Sequence, residues 1–318
     1  MGTTHFSSLQ VGGVPTMGTG GLLPYTGNWW FVDSLNGSDG NQGSAQFPFS
    51  TLAQAQLAAA ANNNDVICFN SNGILRLAST LNWNKDKVHL IGIGAATEIA
   101  SRCRIAPVAT AAAFTPLVNV TAQGCTFMNF QAYSGFSTGM AAQICWAEAG
   151  QRNSYSNVQF SGMNDAASAN STTSRAITIG GAGQGENTFR NCTFGDDTIA
   201  RTAANSTLQF LGNSPRNVFR DCRFIAYLTG SGSGAFHILA ANAGLDRWAE
   251  FDNCTFMSSV QSGGSSAMAN CCSMTTPGGL VLLNSPAGAG ITAWDSGSGF
   301  VYVTGSAPVF ATAGIGVT

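Results

Sequence analysis

An eight-residue motif recurs at a nearly constant interval through the middle of this chain and constrains its fold more than any other feature. Full copies read NTFRNCTF at 187–194, NVFRDCRF at 217–224 and AEFDNCTF at 249–256, with a looser copy, NSYSNVQF, at 153–160 and a partial one, GCTF, at 124–127. The interval between successive copies is 30 to 34 residues. A fixed period of this length is typical of solenoids, in which each repeat packs only against its neighbours.

Apolar residues within the motif follow the alternation of a β-strand. The Cys-x-Phe ending has a period of two, whereas a helix would repeat its apolar residues every three to four positions. A second apolar segment precedes each of the four longer copies, at 144–146, 177–179, 208–210 and 237–239. Each repeat therefore predicts two strands, with a bend at the Asn or Asp before the Cys. Stacked repeats predict a parallel β-solenoid whose strands lie about 4.8 Å apart.

Stacking places equivalent residues of successive repeats in columns. We expect an interior core ladder made of Phe189, Cys192, Phe194, Phe219, Cys222, Phe224, Phe251, Cys254 and Phe256. At the bend, Asn191, Asp221 and Asn253 should form a polar column. Asp252 should stack on the arginines at 190 and 220 in an exposed ladder, which contributes at most about 1 kcal/mol.

Four segments of the N-terminal third carry a family resemblance. They read WFVDSLNGSDG at 30–40, PFSTLAQA at 48–55, DVICF at 65–69 and VHLIGIG at 88–94, and in this order they resemble the opening of pectate-lyase-like right-handed parallel β-helix proteins. The resemblance implies a first strand, a turn, a short helix over Leu52 to Ala61 and the first coils. Such a helix would cap the open end of the solenoid and prevent end-to-end pairing. We therefore predict an all-β fold, a single-stranded right-handed parallel β-helix over 29–318 with one N-terminal capping helix.

Composition excludes several classes of protein. Charged residues make up 9% of the chain, the formal net charge is −2 and the basic residues are scattered along the sequence, which argues against binding to nucleic acid through phosphate neutralisation. We find no apolar run of 18 residues and expect no membrane span and no exported precursor. Nine cysteines without a C-x-x-C spacing indicate neither a disulfide framework nor a zinc site, so we expect free thiols.

Many parallel β-helix proteins cleave polysaccharides, and a pair of carboxylates is the usual sign of such an activity. Asp196 and Asp197 are adjacent, but the other motifs of polygalacturonase-like enzymes are missing, and we interpret the pair as a solvated turn. His89 and His237 lie in apolar strand segments. The loop from Asp33 to Gly43 has turn chemistry rather than the pattern of a calcium hand. We therefore predict no catalytic, cofactor-binding or metal-binding residue and a protein that is not an enzyme.

Residues 1–28 differ from the rest of the chain in having no sustained apolar period. The segment TTHFSSLQVGG at 3–13 resembles the start of small tailed-bacteriophage structural proteins found with the capsid. We interpret residues 1–28 as an N-terminal attachment arm, in which His5, Phe6, Leu9 and Val11 are candidates for contact with the virion. Trp29 and Trp30 follow the arm, and we expect them to pack where the arm meets the cap.

These observations predict a structural virion protein of a tailed bacteriophage, a capsid decoration or head-fibre component that assembles in the host cytoplasm. The expected partners are other virion proteins, the major capsid protein first, with a surface glycan as a further partner and with no nucleic acid or membrane. A homotrimer is expected, because phage β-helices commonly form three-fold bundles and the surface, including 303–318, is poor in charge. The alternative is a tailspike-like or tail-fibre protein that binds or depolymerises host glycans.

Overall fold

The structure is a computed structural model that describes residues 10–11, 14–17, 21–22, 27–109, 114–135, 144–230, 234–261 and 268–305. Its N-terminal half contains strands β1 Gln10–Val11, β2 Val14–Met17, β3 Gly21–Leu22, β4 Trp29–Val32, helix α1 Leu52–Ala58, β5 Val66–Asn70, β6 Leu75–Leu77, β7 Leu81–Trp83, β8 His89–Ile93, β9 Arg104–Pro107, β10 Val118–Val120, β11 Thr126–Tyr133, β12 Ile144–Glu148 and β13 Ser154–Ser161. Its C-terminal half contains helix α2 Ala166–Ala169, β14 Arg175–Gly180, β15 Thr188–Arg190, β16 Thr193–Arg201, β17 Ser206–Leu211, β18 Ser214–Arg220, β19 Arg223–Leu228, β20 Phe236–Ala241, β21 Leu245–Asp252, β22 Thr255–Val260, β23 Met268–Thr275, β24 Gly279–Asn284, β25 Ala287–Ala289, β26 Ile291–Asp295 and β27 Val301–Thr304.

The strands from β4 onward form two long parallel sheets. One has eight strands in the order β26-β23-β20-β17-β14-β12-β10-β7, and the other has sixteen. Each strand pairs with the equivalent strand of the next coil, as β14 does with β17 and β17 with β20. The predicted all-β parallel β-solenoid is therefore confirmed.

Two columns of aromatic rings run through the core. In the first, Phe127, Tyr155, Phe189, Phe219 and Phe251 stack with centroid distances of 4.7, 4.7, 4.7 and 4.3 Å. In the second, the rings of Phe160, Phe194, Phe224 and Phe256 stack at 5.1, 4.6 and 4.7 Å. The structure thus places the six phenylalanines of the predicted ladder in two adjacent columns, and the cysteines at 192, 222 and 254 are buried beside them. All nine cysteines are free and buried.

The bend between two strands of a coil uses a left-handed backbone conformation. The residues Asn129, Asn157, Asn191, Asp221 and Asn253 have φ of 62°, 51°, 50°, 53° and 50°. Asn and Asp tolerate this region better than other residues with a side chain, which explains their recurrence at the bend. The Asn253 amide donates to the Asp221 carboxylate at 2.6 Å, as the Asn157 amide does to Asn129 at 2.9 Å.

The bend corrects our alignment of the partial motif at 124–127. Phe127 pairs with Tyr155, and Phe130 pairs with Val158, so Phe130 rather than Cys125 precedes Val158 in the cysteine column. The GCTF letters match the motif, but the chain turns at Asn129, four residues after Cys125. The resemblance of those four letters is local and does not reflect the register.

Buried asparagines connect neighbouring coils by hydrogen bonds along a second edge. The Asn153 N–H donates to the Asn187 side-chain oxygen at 2.9 Å, and the Asn187 N–H donates to that of Asn217 at 3.1 Å. The Cys125 N–H donates to Asn153 in the same way at 2.8 Å. These side chains replace backbone partners where the strands are interrupted, so buried N–H groups stay paired.

The predicted helix is present as α1, but it ends at Ala58 rather than Ala61, and it packs against β4 and β5. The Thr51 side chain caps its N-terminus by accepting from the Gln54 N–H. Lys85 Nζ donates to the carbonyl groups of Gln56 and Ala59, both at 2.7 Å, which satisfies backbone groups that a helix end leaves free. The four-residue helix α2 was not predicted.

The N-terminal segment contains a small sheet of its own. Strands β1, β2 and β3 pair antiparallel, in contrast to the parallel sheets of the solenoid. Of the candidate virion contacts, Val11 lies in β1, whereas His5, Phe6 and Leu9 lie outside the described residues. No helix among the described residues has the length and apolar character needed to cross a bilayer.

Candidate functional site

A polar cluster lies on the outer face of the sixteen-stranded sheet and takes one residue from each of four neighbouring strands. Arg104 is in β9, Tyr133 in β11, Ser161 in β13 and Asp196 in β16. These strands are consecutive in the sheet, because β9 pairs with β11, β11 with β13, and β13 with β16. Parallel register therefore assembles residues that are far apart in sequence.

Asp196 is held in place by hydroxyl and amide groups. Ser161 Oγ donates to one carboxylate oxygen, and the Thr198 N–H donates to the other at 2.9 Å. Asn164 in turn donates to Ser161 Oγ at 2.7 Å. Asp196 lies in β16, next to a register shift between residues 196 and 201. Our interpretation of Asp196 as part of a solvated turn is therefore wrong, while Asp197 is exposed.

Arg104 and Tyr133 form a cation–π pair beside this carboxylate. The guanidinium carbon lies 5.1 Å from the centre of the phenol ring. Burial lowers the pKa of Arg104, and Tyr133 and Asp196 oppose that shift. Burial raises the pKa of Tyr133, and Asp196 raises it further while Arg104 lowers it. The three groups are therefore electrostatically coupled.

Positive charge gathers around Arg104. Arg102 and Arg76 both lower the pKa of Arg104, after the larger effect of burial. Arg102 and Arg104 are two residues apart in sequence, and the pairing of β6 with β9 brings Arg76 beside them. A cluster of guanidinium groups favours ligands that carry carboxylates or phosphates.

Arg201 supports the cluster from inside the solenoid. Its guanidinium donates to Thr207 Oγ1 at 2.9 Å and to the Ile225 carbonyl at 3.2 Å. Burial lowers its pKa to about 10, an effect that Asp196 opposes, so Arg201 stays charged at neutral pH. Gly195 has φ of 94°, and a Cβ there would meet the Ile225 oxygen at 2.1 Å and Arg201 at 3.0 Å. Only glycine allows this approach.

A second carboxylate, Glu148, is fully buried and faces the core. Its oxygens accept from the Asn153 amide at 2.9 Å, from the Gly150 N–H at 3.1 Å and from the Tyr155 hydroxyl. Burial raises the pKa of Glu148 to about 7, against the effect of these hydrogen bonds. Sequence analysis missed this residue because it aligned 144–146 with 177–179, whereas Trp146 pairs with Ile177 and Glu148 with Ile179, so Glu148 takes a core position of the repeat.

The remaining candidates from the sequence have structural roles. His89 Nδ1 accepts from the Thr126 N–H at 3.0 Å, and burial lowers the pKa of His89 to about 4. His237 lies between Thr207 and Ser258 in the core. In the 33–43 loop, Asp33 accepts from the N–H groups of residues 35 and 36 and from three asparagine amides. Across the described residues, no three His, Cys, Asp or Glu side chains gather into a metal-binding group.

Trp30 packs at the start of the solenoid, as predicted. Its ring stacks on Phe49 with centroids 6.1 Å apart, and its indole N–H donates to Asp65 at 3.1 Å. Trp29 packs against a small cluster formed by Val66, Cys68 and Ile91.

No protein-family model matches this chain, and no curated protein sequence matches it. Several solved structures do match this chain. It is similar to pectate lyase Pel9A, with 14% identity, a TM-score of 0.60 and coverage of 87% of this chain and 68% of that one. It is similar to a rhamnogalacturonan lyase, with 12% identity, a TM-score of 0.55 and coverage of 83% and 68%. It is also similar to the pectin methylesterase of Aspergillus niger, with 15% identity, a TM-score of 0.54 and coverage of 89% and 86%.

At this level of identity the similarity shows the fold alone, a β-helix shared with enzymes that act on polysaccharides. The finding overturns our prediction that the chain is not an enzyme, since the lyases and the esterase are enzymes of this same fold. That prediction depended on missing linear motifs. The cluster around Asp196 takes its residues from four strands of different coils, and a search for local motifs does not detect such an arrangement.

Proposed function

We propose that this protein binds an acidic polysaccharide on the outer face of its long sheet, at the cluster around Asp196. The observation that carries the proposal is the juxtaposition of Arg104, Tyr133 and Asp196 on neighbouring strands. A guanidinium recognises a sugar carboxylate, a carboxylate accepts hydroxyl groups, and a phenol offers both an apolar ring and a hydroxyl. The shared fold with polysaccharide-acting enzymes agrees with this assignment.

Titration with hexagalacturonate tests the binding, with two pairs of variants. Arg104→Gln should weaken binding by about 10-fold or more, the value of a hydrogen bond to a charged group. Its matched control is Arg190→Gln, the same change at an exposed site in β15, which should alter the dissociation constant less than about twofold. Equal affinities for these two variants would refute the proposed site.

Asp196→Asn and its neighbour Asp197→Asn form the second pair. We expect the first to change the affinity or the cleavage of hexagalacturonate and the second to change neither, because Asp196 is held by Ser161 whereas Asp197 is exposed. An assay for new reducing ends and unsaturated products, run on the same samples, decides whether binding is accompanied by cleavage.

We also propose a role in the virion of a tailed bacteriophage, as a capsid decoration or head-fibre component attached by residues 1–28. Two observations favour this role: the resemblance of segment 3–13, and an antiparallel sheet in the arm whose strands pair with one another. The proposed partners are the major capsid protein and two further copies of the chain. The exposed apolar side chains of Leu280, Phe300 and Tyr302 near the C-terminal end agree with a protein contact.

Deletion of residues 2–24 tests the attachment. We expect unchanged circular dichroism and melting, because the solenoid core begins at β4, together with loss of incorporation into phage particles. Incorporation at the normal copy number would refute attachment through the arm, and sedimentation of the full chain as a monomer would refute the trimer.

A further inference from the structure

Residues 94–103 connect β8 to β9 and are called the strap below. The strap runs across the outer face of the long sheet, over strands of later coils. The Ala100 N–H donates to the Gln159 side chain in β13 at 2.7 Å. Glu98 forms an ion pair with Arg223 in β19. Because β16 lies between β13 and β19, the strap follows the solenoid axis.

Beneath the strap lies a row of residues in direct register, called the outer row: Arg104, Gln131, Gln159, Thr193 and Arg223. Each alternates with core residues, as Gln159 does between Val158 and Phe160. The row therefore projects away from the core. It has an arginine at each end and neutral polar groups between them, spread over four strand spacings or about 19 Å.

The neutral residues of the row are buried even though they face outward. Gln131, Gln159 and Thr193 are 1, 2 and 1% exposed. Gln131 Oε1 and Thr193 Oγ1 have no hydrogen-bond partner among the described residues. Native proteins pair almost all such groups, because an unpaired one costs free energy. Two of them in one row, on either side of Gln159, indicate a surface built to bind another molecule.

The strap itself is held by weak contacts. Both side chains of the Glu98–Arg223 pair are exposed by more than two fifths, and such pairs contribute little to stability. Residues 93–100 are exposed on their outer side. The buried residues of the strap, Ser101 and Cys103, lie at its C-terminal end, so displacing residues 95–100 would disrupt only surface contacts and leave the core intact.

We propose that the strap is an internal substitute for the acidic polysaccharide and that the outer row is its extended binding site. The Glu98 carboxylate occupies Arg223 as a sugar carboxylate would, and the Ala100 amide occupies Gln159 as a sugar hydroxyl would. Binding then requires the strap to leave, which frees Gln131, Gln159 and Thr193 for sugar hydroxyls and Arg223 for a second carboxylate. This inference rests on the proposed function, and it extends the site from Asp196 along the solenoid axis.

The test combines hexagalacturonate titration with hydrogen–deuterium exchange of the strap. Glu98→Gln removes the competing carboxylate and should tighten binding by about two- to fivefold, the range of a surface ion pair. The matched control Asp246→Asn removes a carboxylate from another surface pair, with Arg247 at 3.1 Å, and should leave binding unchanged. In the wild type, saturating ligand should raise amide exchange in residues 95–100, including the Ala100 N–H that Gln159 accepts from.

A second variant tests the row beneath the strap. Thr193→Val keeps the shape of the side chain and removes the hydroxyl, so the protein should fold and melt normally while binding weakens severalfold. If wild-type protein binds hexagalacturonate but strap exchange stays constant and Glu98→Gln behaves like Asp246→Asn, the strap proposal is wrong and the Asp196 site stands. If neither wild type nor Glu98→Gln binds, both proposals are wrong. Binding by Glu98→Gln alone would support an occluding strap.

Discussion

Phe219 and Phe251 stack face to face, with ring centroids 4.3 Å apart and ring planes 2° apart. They belong to adjacent coils and occupy the same register position. Phe189 stacks on the other side of Phe219 at 4.7 Å, so the Phe219 ring is enclosed on both faces by identical side chains. The spacing of these rings is the strand spacing of the sheet, which is why one residue type recurs in the column.

The first prediction concerns this column. Phe219→Asp places an unpaired carboxylate in the core, and we expect no soluble folded protein. Phe219→Leu keeps an apolar group and should fold with a loss of about 1–3 kcal/mol, measured by chemical denaturation. Phe300→Asp, at a 37% exposed position, is the control and should fold. Normal melting of Phe219→Asp would show that the register is wrong.

The column also shows what sequence could predict. The repeated motif predicted the strands, the bends and an interior ladder, because residues in equivalent places of a solenoid face equivalent environments, and the structure arranges the phenylalanines of that ladder in two columns. The partial motif at 124–127 was misaligned, since Phe130 and not Cys125 takes the position in its coil that Cys192 takes in a later coil. A four-letter match could not reveal that the interval from Phe130 to Val158 is shorter than the intervals between the later copies.

The second prediction concerns the buried asparagines. Asn187→Ala leaves the Asn153 N–H without its acceptor and should lower the free energy of unfolding by about 1–3 kcal/mol. Asn119→Ala is the matched control, because Asn119 pairs with the Asn82 side chain between coils at an exposed position. Its cost should stay below about 0.5 kcal/mol. Similar costs for the two variants would contradict a special role for burial.

The third prediction concerns pH and Glu148. Burial raises the pKa of Glu148 to about 7 in the folded protein from 4.5, so folding favours the protonated form. The resulting stability is fully present below pH 4.5 and is lost as the pH rises through 7. Glu148→Gln mimics the protonated acid. The free energy of unfolding of this variant should match that of the wild type at pH 4.5 and exceed it by about 3 kcal/mol at pH 8.

His89 also makes the stability depend on pH, in the direction opposite to Glu148, but it does so equally in the wild type and in Glu148→Gln. The difference between these two proteins at each pH therefore isolates the contribution of Glu148. Burial lowers the pKa of His89 to about 4, so its contribution is present above pH 6.5 and is lost as the pH falls through 4. Glu186→Gln, which breaks surface ion pairs with Arg152 and Arg216, is the control and should not gain stability at pH 8. A constant difference between wild type and Glu148→Gln would refute the assignment.

The fourth prediction concerns the thiols. Burial raises the pKa of Cys68 and of Cys145 to about 12, and the thiolate is the reactive form. Native protein at pH 8 should therefore react with a thiol reagent only as fast as it unfolds, and denatured, unreduced protein should yield nine free thiols. Cys222→Val should have only a mild effect on stability, since Val158 fills the same column. Fast labelling of the folded protein would contradict the buried positions.

The candidate site was harder to predict than the core. Arg104, Tyr133, Ser161 and Asp196 share no motif, and the sheet register alone makes them neighbours. The register shift after Asp196 and the path of the strap depend on tertiary packing. The core follows from a repeating pattern that one sequence displays, whereas the site breaks that pattern and occurs once.

The asparagine hydrogen bonds have a consequence for the length of the molecule. Asn187 accepts from Asn153 just as Asn217 accepts from Asn187, and Phe219 follows Asn217 at the same distance as Phe189 follows Asn187. If residues 187–216 were removed, Asn217 would take the place of Asn187, and its side chain could accept from the Asn153 N–H in the same way. Growth or shortening can proceed by whole coils, each changing the reach of the protein by about 4.8 Å, while an insertion of any other size has to bulge from the surface as a loop.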